Sequence, residues 1–206
     1  MHRSVCTPGN LPRVYLWHRD ALAALGRRAA ESGVQARVHG SQGDADTLAD
    51  LLPERAFDLV CCHGVLEVVD DPTATLRVLA DALADDGHLS LLVAGRLATV
   101  WARALAGEFG QAHTALTSPD GRWGAHDPLP RRFDLAQLRA LVESAGLQVE
   151  HWHGVRLLAD LVPSTAIDTD AERAALVALE EALAGHPAYP FLGELGAALH
   201  LLARRG

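Results

Sequence analysis

A single apolar run followed by a helix start constrains the fold of this chain more than any other feature. Residues 57–62 have the apolar character and length of a buried parallel strand, and His63 and Gly64 follow directly. Asp71 then occupies the position of a helix N-cap, with Pro72 as the first helical residue. Because open α/β sheets bind ligands at the carboxyl ends of their strands, we expect the functional site near His63 and Gly64.

Segments with the patterns of strands and helices alternate along the chain. This alternation predicts an α/β fold with a mostly parallel sheet covered on both faces. Strands are predicted at residues 13–17, 34–39, 57–62, 88–93, 147–153 and 197–203, and helices at 20–32, 45–52, 73–84, 97–106, 134–146 and 170–183. Turns are predicted at 6–10, 43–44 and 86–87. We expect one domain over residues 1–206, with an atypical segment at 1–19 and a long loop at 107–132.

Composition and charge set wide limits on function. A chain of 206 residues with 49% hydrophobic residues can bury a full core. It contains no apolar run of the roughly 18 residues that span a membrane, and its opening residues do not resemble a signal peptide. We therefore expect a cytoplasmic protein with no membrane partner. The formal net charge of −8 argues against broad, nonspecific nucleic-acid binding but allows a local basic patch.

A family resemblance begins at the same strand. The run His-Gly-Val-Leu-Glu-Val at 63–68, the Asp71 and Pro72 pair, and the helix and strand that follow resemble the class I S-adenosylmethionine-dependent methyltransferases. Within that superfamily the chain is most similar to the tRNA 5-carboxymethoxyuridine methyltransferases, through residues 106–109, 154–156 and the tail from Leu179 to His200. The resemblance implies a Rossmann-like methyltransferase fold. It also implies methyl transfer from S-adenosylmethionine to a carboxylate on tRNA or to a small molecule.

The resemblance also implies a cofactor site. Asp44 and Ala45 follow the second predicted strand, where methyltransferases place an acidic side chain that accepts the adenine amino group. Asp44 is equally suited to cap the helix that follows. His63 and Gly64 would face the methyl donor, and the alternative for His63 is a polar residue that ends a buried strand.

The amino-terminal end departs from the family pattern. The chain lacks the glycine-rich loop that normally follows the first strand, and Trp17, His18 and Arg19 stand where the family has an acidic residue for the cofactor ribose. We expect that this end is truncated or comes from another reading frame. The missing central strand would then be replaced by residues 13–17 or by a partner. The alternative function is a catalytically silent Rossmann-like domain for binding or assembly.

Candidate substrate contacts lie in two places. The long loop combines cations with an aromatic ring, which suits an acidic substrate because arginine binds carboxylates and tryptophan stacks on bases; the cluster consists of Arg122, Trp123, His126, Arg131 and Arg132. The alternative is a solvated loop. By resemblance Arg156 is a second carboxylate anchor, with an exposed edge-strand arginine as its alternative. A basic face here would favour RNA, and an apolar enclosure would favour a metabolite.

Acid–base groups and metals are not expected to take part. A sulfonium cofactor carries its own leaving group, so the reaction chiefly requires alignment and exclusion of water, and we predict no catalytic side chain. His151 and His153 share one face of a predicted strand, but no third ligand has suitable spacing, so we predict no metal site.

Overall fold

The computed structural model describes residues 5–6, 13–16, 19–42 and 48–205. The strands are β1 Val5–Cys6, β2 Arg13–Leu16, β3 His39–Gln42, β4 Phe57–His63, β5 Leu83–Ala94, β6 Leu147–Val155 and β7 Ala198–Arg205. The α-helices are α1 Arg19–Glu31, α2 Leu48–Leu51, α3 Pro72–Ala82, α4 Arg96–Leu105, α5 Phe109–Thr117, α6 Leu135–Ser144 and α7 Asp170–Ala184. Short 3-10 helices lie at Gln35–Arg37, Ser164–Ala166 and Pro190–Leu195. In the described stretches no helix is long and apolar enough to cross a membrane.

The chain divides into two compact units. Unit 1 comprises Met1–Leu91, Ala140–Glu150 and Leu202–Gly206, and unit 2 comprises Leu92–Arg139 and His151–Leu201. Strands β5, β6 and β7 contribute residues to both units. The expectation of a single domain over residues 1–206 stays a prediction.

Seven strands form one mixed sheet in the order β3-β2-β1-β4-β5-β7-β6. Strands β2 and β3 are parallel, with Arg13 opposite His39. Strand β1 is antiparallel to both of its neighbours, with Val5 opposite Arg13 on β2 and opposite Val60 on β4. The α/β fold class predicted from the alternating pattern is confirmed.

The centre of the sheet differs from the prediction. We expected residues 13–17 or a partner to replace the missing strand, but the two-residue strand β1 lies between β2 and β4. Cys6, which we placed in a turn, belongs to β1. The rest of that predicted turn, residues 7–10, lies outside the described residues. Two residues are enough to form this strand because backbone hydrogen bonds to the neighbouring strands, not a long apolar pattern, define it.

Three other local predictions are wrong for identifiable reasons. A strand was predicted at 34–39, but Gln35–Arg37 is an exposed 3-10 turn and β3 begins only at His39. The turn predicted at 86–87 lies inside β5, because Gly87 is needed where the strand packs against the backbone of Phe57. The loop predicted at 107–132 contains α5, since Gly110 is tolerated near the start of that helix. The turn at 43–44 and the start of the helix at 45–52 lie outside the described residues.

The strand and helix that opened the sequence argument form as predicted. Strand β4 ends at His63, and the side chain of Asp71 accepts hydrogen bonds of 2.9 Å from the N–H groups of Thr73 and Ala74 at the start of α3. Pro72 occupies the first helical position, where its missing N–H costs nothing. The core of unit 1 is built from fully buried aliphatic side chains, among them Val60, Leu66, Leu76, Leu83, Leu89, Leu91, Val142 and Leu147.

Two glycines of unit 1 provide a matched test of this packing. A Cβ at Gly87 would lie 2.7 Å from the carbonyl oxygen of Phe57, so we expect Gly87→Ala to lower the free energy of unfolding by about 1–3 kcal/mol. A Cβ at Gly26 in α1 meets no atom within 4 Å, so Gly26→Ala should raise it by about 1 kcal/mol through helix propensity. Urea denaturation followed by circular dichroism measures both, and equal effects would contradict the strand packing at Gly87.

Candidate functional site

The carboxyl end of β4 carries the predicted donor-facing residues. The Nε2 atom of His63 lies 2.9 Å from the Oγ of Ser90 on β5, which fixes the imidazole at the strand end. Gly64 has φ +61°, a left-handed conformation that glycine adopts without strain. Glu67 follows with only 5% of its surface exposed. The end of β4 therefore carries an imidazole held by a hydrogen bond, at His63, next to a backbone position without a side chain, at Gly64. Asp44 and Ala45, the other predicted cofactor residues, lie outside the described residues.

A cavity of about 500 Å³ lies in unit 2, at the carboxyl end of β5. Its lining begins with Ala94, the last residue of β5, and continues along α4 with Ala98, Thr99, Trp101 and Ala102. Leucines of the segments 157–161 and 183–195 supply most of the remaining wall. This volume lies within the range of small-molecule sites, and a mainly apolar lining is typical of them.

Gly95, which joins β5 to α4, packs closely against the backbone of residues 196–197. Its N–H donates a 3.0 Å hydrogen bond to the carbonyl of Ala197, and a Cβ at this position would lie 2.3 Å from the carbonyl oxygen of Gly196. The next residue, Arg96, donates its backbone N–H to the carbonyl of Phe133. These contacts fix the direction in which α4 leaves the sheet and therefore which of its side chains reach the cavity.

Three charged side chains line this apolar cavity: Arg132, Arg156 and Asp160. Arg156 has φ +57°, an uncommon conformation for a residue with a side chain, and it directs the chain out of β6. Its Nη2 lies 3.4 Å from the Oδ2 of Asp160, and both side chains are about half exposed. The pair places a guanidinium, able to bind a carboxylate or phosphate, at the edge of an otherwise apolar space.

The segment after Arg156 is held by one carboxylate. The N–H of Leu157 donates to Oε2 of Glu180 at 2.6 Å, and the N–H groups of Leu158 and Ala159 donate to Oε1 at 2.7 Å. Consecutive backbone N–H groups that converge after a left-handed residue form an anion-binding concavity. Glu180 on α7 fills this concavity, and so connects α7 to the cavity wall.

Arg132 is buried in an internal ion pair. Its Nη1 and Nη2 donate to the Oδ2 and Oδ1 of Asp127 at 2.5 Å and 2.9 Å, and the two side chains are 8% and 0% exposed. Asp127 also accepts from the N–H groups of Trp123 and Leu129, each at 3.0 Å. Burial raises the pKa of Asp127, but the hydrogen bonds from Arg132, Trp123 and Leu129 outweigh this effect and hold the pKa below its ordinary value.

A second buried arginine organises the same region. The guanidinium of Arg96 donates to the carbonyls of Ser118 and Pro119 at 3.0 and 2.8 Å and to the side chain of Gln137 at 3.2 Å. These carbonyls follow the last turn of α5, where a cation compensates the unpaired carbonyls of a helix end. Sequence reasoning did not single out Arg96.

The predicted substrate residues separate in the structure. Arg132 and Arg156 line the same cavity, whereas Trp123 is not among its lining residues. The indole of Trp123 instead lies 4.0 Å from the guanidinium of Arg103, in a cation–π contact. Arg122 donates to the carbonyl of Ala125 within its own loop. The cluster is therefore mainly a set of internal contacts, and a substrate role for Trp123 stays a prediction.

Sequence reasoning missed three acidic partners: Asp127, Asp160 and Glu180. Two of them left a detectable signal. Asp160 follows Arg156 by four residues, the spacing of a local ion pair, and Glu180 interrupts the apolar face of α7 between Leu176 and Leu183. A carboxylate on an apolar helix face requires a partner. The bidentate contact of Asp127 with Arg132 depends on loop conformation and left no such pattern.

No group of three or more potential metal ligands occurs among residues whose positions are described. Of the histidine pair on β6, His153 packs its ring against that of His200, with 4.7 Å between the ring centroids.

Replacing Asp127 should expose the cost of an unpaired buried cation. We expect Asp127→Asn to lower the free energy of unfolding at neutral pH by about 3–5 kcal/mol, because Arg132 remains buried without its counter-charge. Asp170→Asn, which removes the exposed partner of Arg173 in the same unit, should have little effect.

The pH dependence of this effect follows from the direction of the pKa shift. A carboxylate whose pKa is lowered by folding stabilises the protein above its unfolded-state pKa, and this contribution is lost as the pH falls through the lowered value. The difference between wild type and Asp127→Asn should therefore persist down to about pH 4 and shrink only below it. Urea denaturation at a series of pH values measures this, and equal stabilities of Asp127→Asn and Asp170→Asn would contradict the buried pair.

Removing the carboxylate at Glu180 should loosen the cavity wall. We expect Glu180→Ala to cost about 2–4 kcal/mol, since three backbone donors lose a charged acceptor. Glu180→Gln keeps one acceptor oxygen and should cost less, and Glu181→Ala at the exposed neighbouring position is the matched control. Hydrogen exchange at the amides of residues 157–159 should accelerate in Glu180→Ala. Unchanged exchange there would show that the carboxylate does not hold the segment.

Comparison with known proteins agrees with the fold. Residues 15–152 match the family described as "Methyltransferase domain". The chain is 34% identical over 127 residues to the ubiquinone biosynthesis O-methyltransferase of Xanthomonas axonopodis pv. citri (strain 306), which covers 61% of this chain and 48% of that protein. It is 30% identical over 180 residues to the tRNA 5-carboxymethoxyuridine methyltransferase of Escherichia coli (strain K12), covering 87% of this chain and 66% of that protein.

Solved structures show the same architecture. An S-adenosylmethionine-dependent methyltransferase from Mesorhizobium loti superposes with a TM-score of 0.58 at 20% identity, covering 94% of this chain and 79% of that one. A SAM-dependent methyltransferase from Methanosarcina mazei gives a TM-score of 0.59 at 14% identity, covering 94% and 81%. The chain spans about half the length of its Xanthomonas relative and just under two thirds of its E. coli relative. The family resemblance found in the sequence is confirmed: this chain belongs to the methyltransferase domain family, in the class I S-adenosylmethionine-dependent fold.

Proposed function

We propose that this chain transfers a methyl group from S-adenosylmethionine to a small-molecule acceptor bound in the cavity of unit 2. S-adenosylmethionine is the expected cofactor of the family to which the chain belongs. When bound, it supplies a methyl group on a sulfonium that is its own leaving group. The protein then has to bind and align the two molecules and exclude water.

The cofactor contacts we propose are Asp44, Ala45, His63 and Gly64. The described part of this set suits a ligand at the end of β4. Gly64 places backbone without a side chain there, in a conformation that a Cβ would strain, and His63 is oriented by Ser90. Asp44 would accept a hydrogen bond from the adenine amino group. His63 would limit access to the reacting atoms without moving a proton.

One observation supports the acceptor site above the others: the cavity lies at the carboxyl end of β5. Ligands of open α/β sheets bind at that end of the strands. Ala94, the carboxyl-terminal residue of β5, lines the cavity, and Arg156 contributes a cation there. We propose that Arg156 binds an acidic group of the acceptor, exchanging its 3.4 Å contact with Asp160 for the ligand. Arg132, held by Asp127, forms part of the wall.

The state of the arginines favours a small molecule over RNA as the acceptor. A surface that binds RNA neutralises phosphates with available cations. In this chain the guanidinium groups of Arg96 and Arg132 are buried and bonded to the protein itself, and that of Arg103 stacks on Trp123. Unit 2 also has more carboxylates than arginines. The apolar cavity corresponds to the arrangement that we associated with a metabolite.

A second candidate acceptor is a carboxylate on tRNA. It is favoured by the E. coli relative, whose similarity covers 87% of this chain and whose name specifies a modified tRNA uridine. In that case the nucleoside would enter the cavity and its carboxylate would bind Arg156. No general base is required for either acceptor if the nucleophile is a carboxylate, since this group is ionised at neutral pH.

Calorimetry with S-adenosylhomocysteine tests the cofactor site directly. We expect binding in the micromolar range, weakened at least tenfold in Asp44→Ala through loss of one charged hydrogen bond. Asp86→Ala, an exposed carboxylate on β5, is the matched control and should bind as the wild type does. A folded wild-type chain that binds no S-adenosylhomocysteine would refute the enzymatic proposal and leave the silent binding domain.

The acceptor class is tested with radiolabelled S-adenosylmethionine. Label should enter the low-molecular-mass fraction of a cell extract and should decrease in Arg156→Gln. Label found in tRNA instead would overturn the small-molecule acceptor and leave methyl transfer intact.

A further inference from the structure

Among the described residues, helix α4 has an apolar face that is left partly exposed. The only buried residue of α4 is Arg96, at its first position, with 8% of its surface exposed. Trp101 and Leu105 are 51% and 66% exposed. A helix on the surface of a globular protein normally turns its apolar face inward, so the exposed face of α4 requires another explanation.

This face is continuous with the cavity. Ala98, Trp101 and Ala102 line the cavity, and Leu105 follows them by seven, four and three residues. These spacings place Leu105 on the same side of the helix, one turn further along. We call the four residues Ala98, Trp101, Ala102 and Leu105 the α4 stripe. The stripe begins inside the cavity and ends at a leucine that is two thirds exposed.

The rim of the cavity has the same character on a second segment. Leu161 lines the cavity and is 44% exposed. It lies on the segment that Glu180 holds through the N–H groups of 157–159. Apolar side chains on two separate segments therefore leave the cavity toward solvent, whereas Arg156 and Asp160 provide charge within its lining.

From this arrangement we infer that the acceptor is an amphiphile with an acidic group and a hydrocarbon portion longer than the cavity. This inference rests on the proposed methyl transfer. The acidic group binds Arg156, the first part of the apolar portion fills the cavity, and the remainder lies along the α4 stripe as far as Leu105. Contact with the ligand would remove from water the apolar surface that the protein leaves exposed.

The size of the α4 stripe argues against a protein partner. Helix α4 has 10 residues and is about 15 Å long, and the stripe is one side of it. A stable protein interface buries roughly 800 Å² on each partner, more than four side chains supply. A flat partner surface would also leave the 500 Å³ cavity empty, whereas a single flexible ligand fills the cavity and covers the stripe.

A homologous series of ligands tests the inference by binding alone. We would titrate the full chain with para-methoxy-, para-butoxy- and para-octyloxybenzoate and follow tryptophan fluorescence and calorimetric heat. Affinity should rise by up to about fourfold for each methylene that is buried. Leu105→Ser should weaken binding of the octyloxy compound about tenfold and leave the methoxy compound unchanged. Val177→Ser, at an exposed valine on α7, is the matched control and should alter neither.

Two results would overturn the inference. One is an affinity that does not depend on chain length, and the other is an equal response of Leu105→Ser and Val177→Ser. If sedimentation shows a dimer that Leu105→Ser dissociates, a second copy of the chain covers the stripe. If phosphatidylglycerol vesicles bind the wild type but not Leu105→Ser, and ligand affinity does not depend on chain length, a membrane surface covers the α4 stripe and the inference is wrong.

The outcome is separable from that of the proposed function. Binding of S-adenosylhomocysteine without dependence on ligand chain length would overturn the amphiphilic acceptor alone. Chain-length dependence without binding of S-adenosylhomocysteine would instead overturn methyl transfer and show that the cavity binds amphiphiles for another purpose.

Discussion

The buried ion pair between Arg132 and Asp127 determines what the region between α5 and α6 can do. The carboxylate of Asp127 accepts hydrogen bonds from both terminal nitrogens of Arg132 and from two backbone N–H groups. These four bonds hold the loop between α5 and α6, which is rich in glycine and proline, in its folded conformation. Arg96 adds a second set of bonds to the carbonyls at the end of α5. A buried guanidinium needs hydrogen-bond partners or a counter-charge within the protein. Because both arginines already bind such partners, they are not available to bind a polyanion. The part of the cavity wall formed by Leu129 and Arg132 depends on these hydrogen bonds to Asp127.

Another part of the cavity wall is stabilised by a comparable arrangement in which a carboxylate, not an arginine, satisfies the backbone. There the carboxylate of Glu180 satisfies three backbone donors, and the left-handed residue Arg156 directs those donors toward it. Backbone strain of this kind persists only where surrounding bonds compensate for it. The result places the Arg156 guanidinium beside apolar side chains, the combination on which the proposed acceptor site rests. Both parts of the cavity wall are therefore held by charged side chains whose hydrogen-bond partners belong to the protein itself.

Much of the fold was predictable because it follows local rules. The strand β4, the Asp71 cap and the start of α3 at Pro72 were expected from residue patterns, and the order of strands and helices follows from their alternation. The errors occurred where local pattern and tertiary contact disagree. Gly87 signals a turn by itself, but in the sheet it makes room for the carbonyl of Phe57. A strand was predicted at 34–39, yet Gln35–Arg37 form an exposed 3-10 turn and the strand begins only at His39.

Residue patterns were enough to predict the fold class, because apolar periodicity and helix capping act over a few residues, and sequence resemblance was enough to predict the family. Tertiary contacts, in contrast, determine which arginine is buried in an ion pair and which is left half exposed. Arg132 and Arg156 are indistinguishable as residue types, but one meets a buried aspartate at full bidentate contact and the other a half-exposed aspartate at 3.4 Å. The central strand β1 was decided in the same way, since two residues carry no pattern of their own and are defined by the strands on either side. Pairing partners far apart in sequence leave no local periodicity, so they emerge only when the chain has folded.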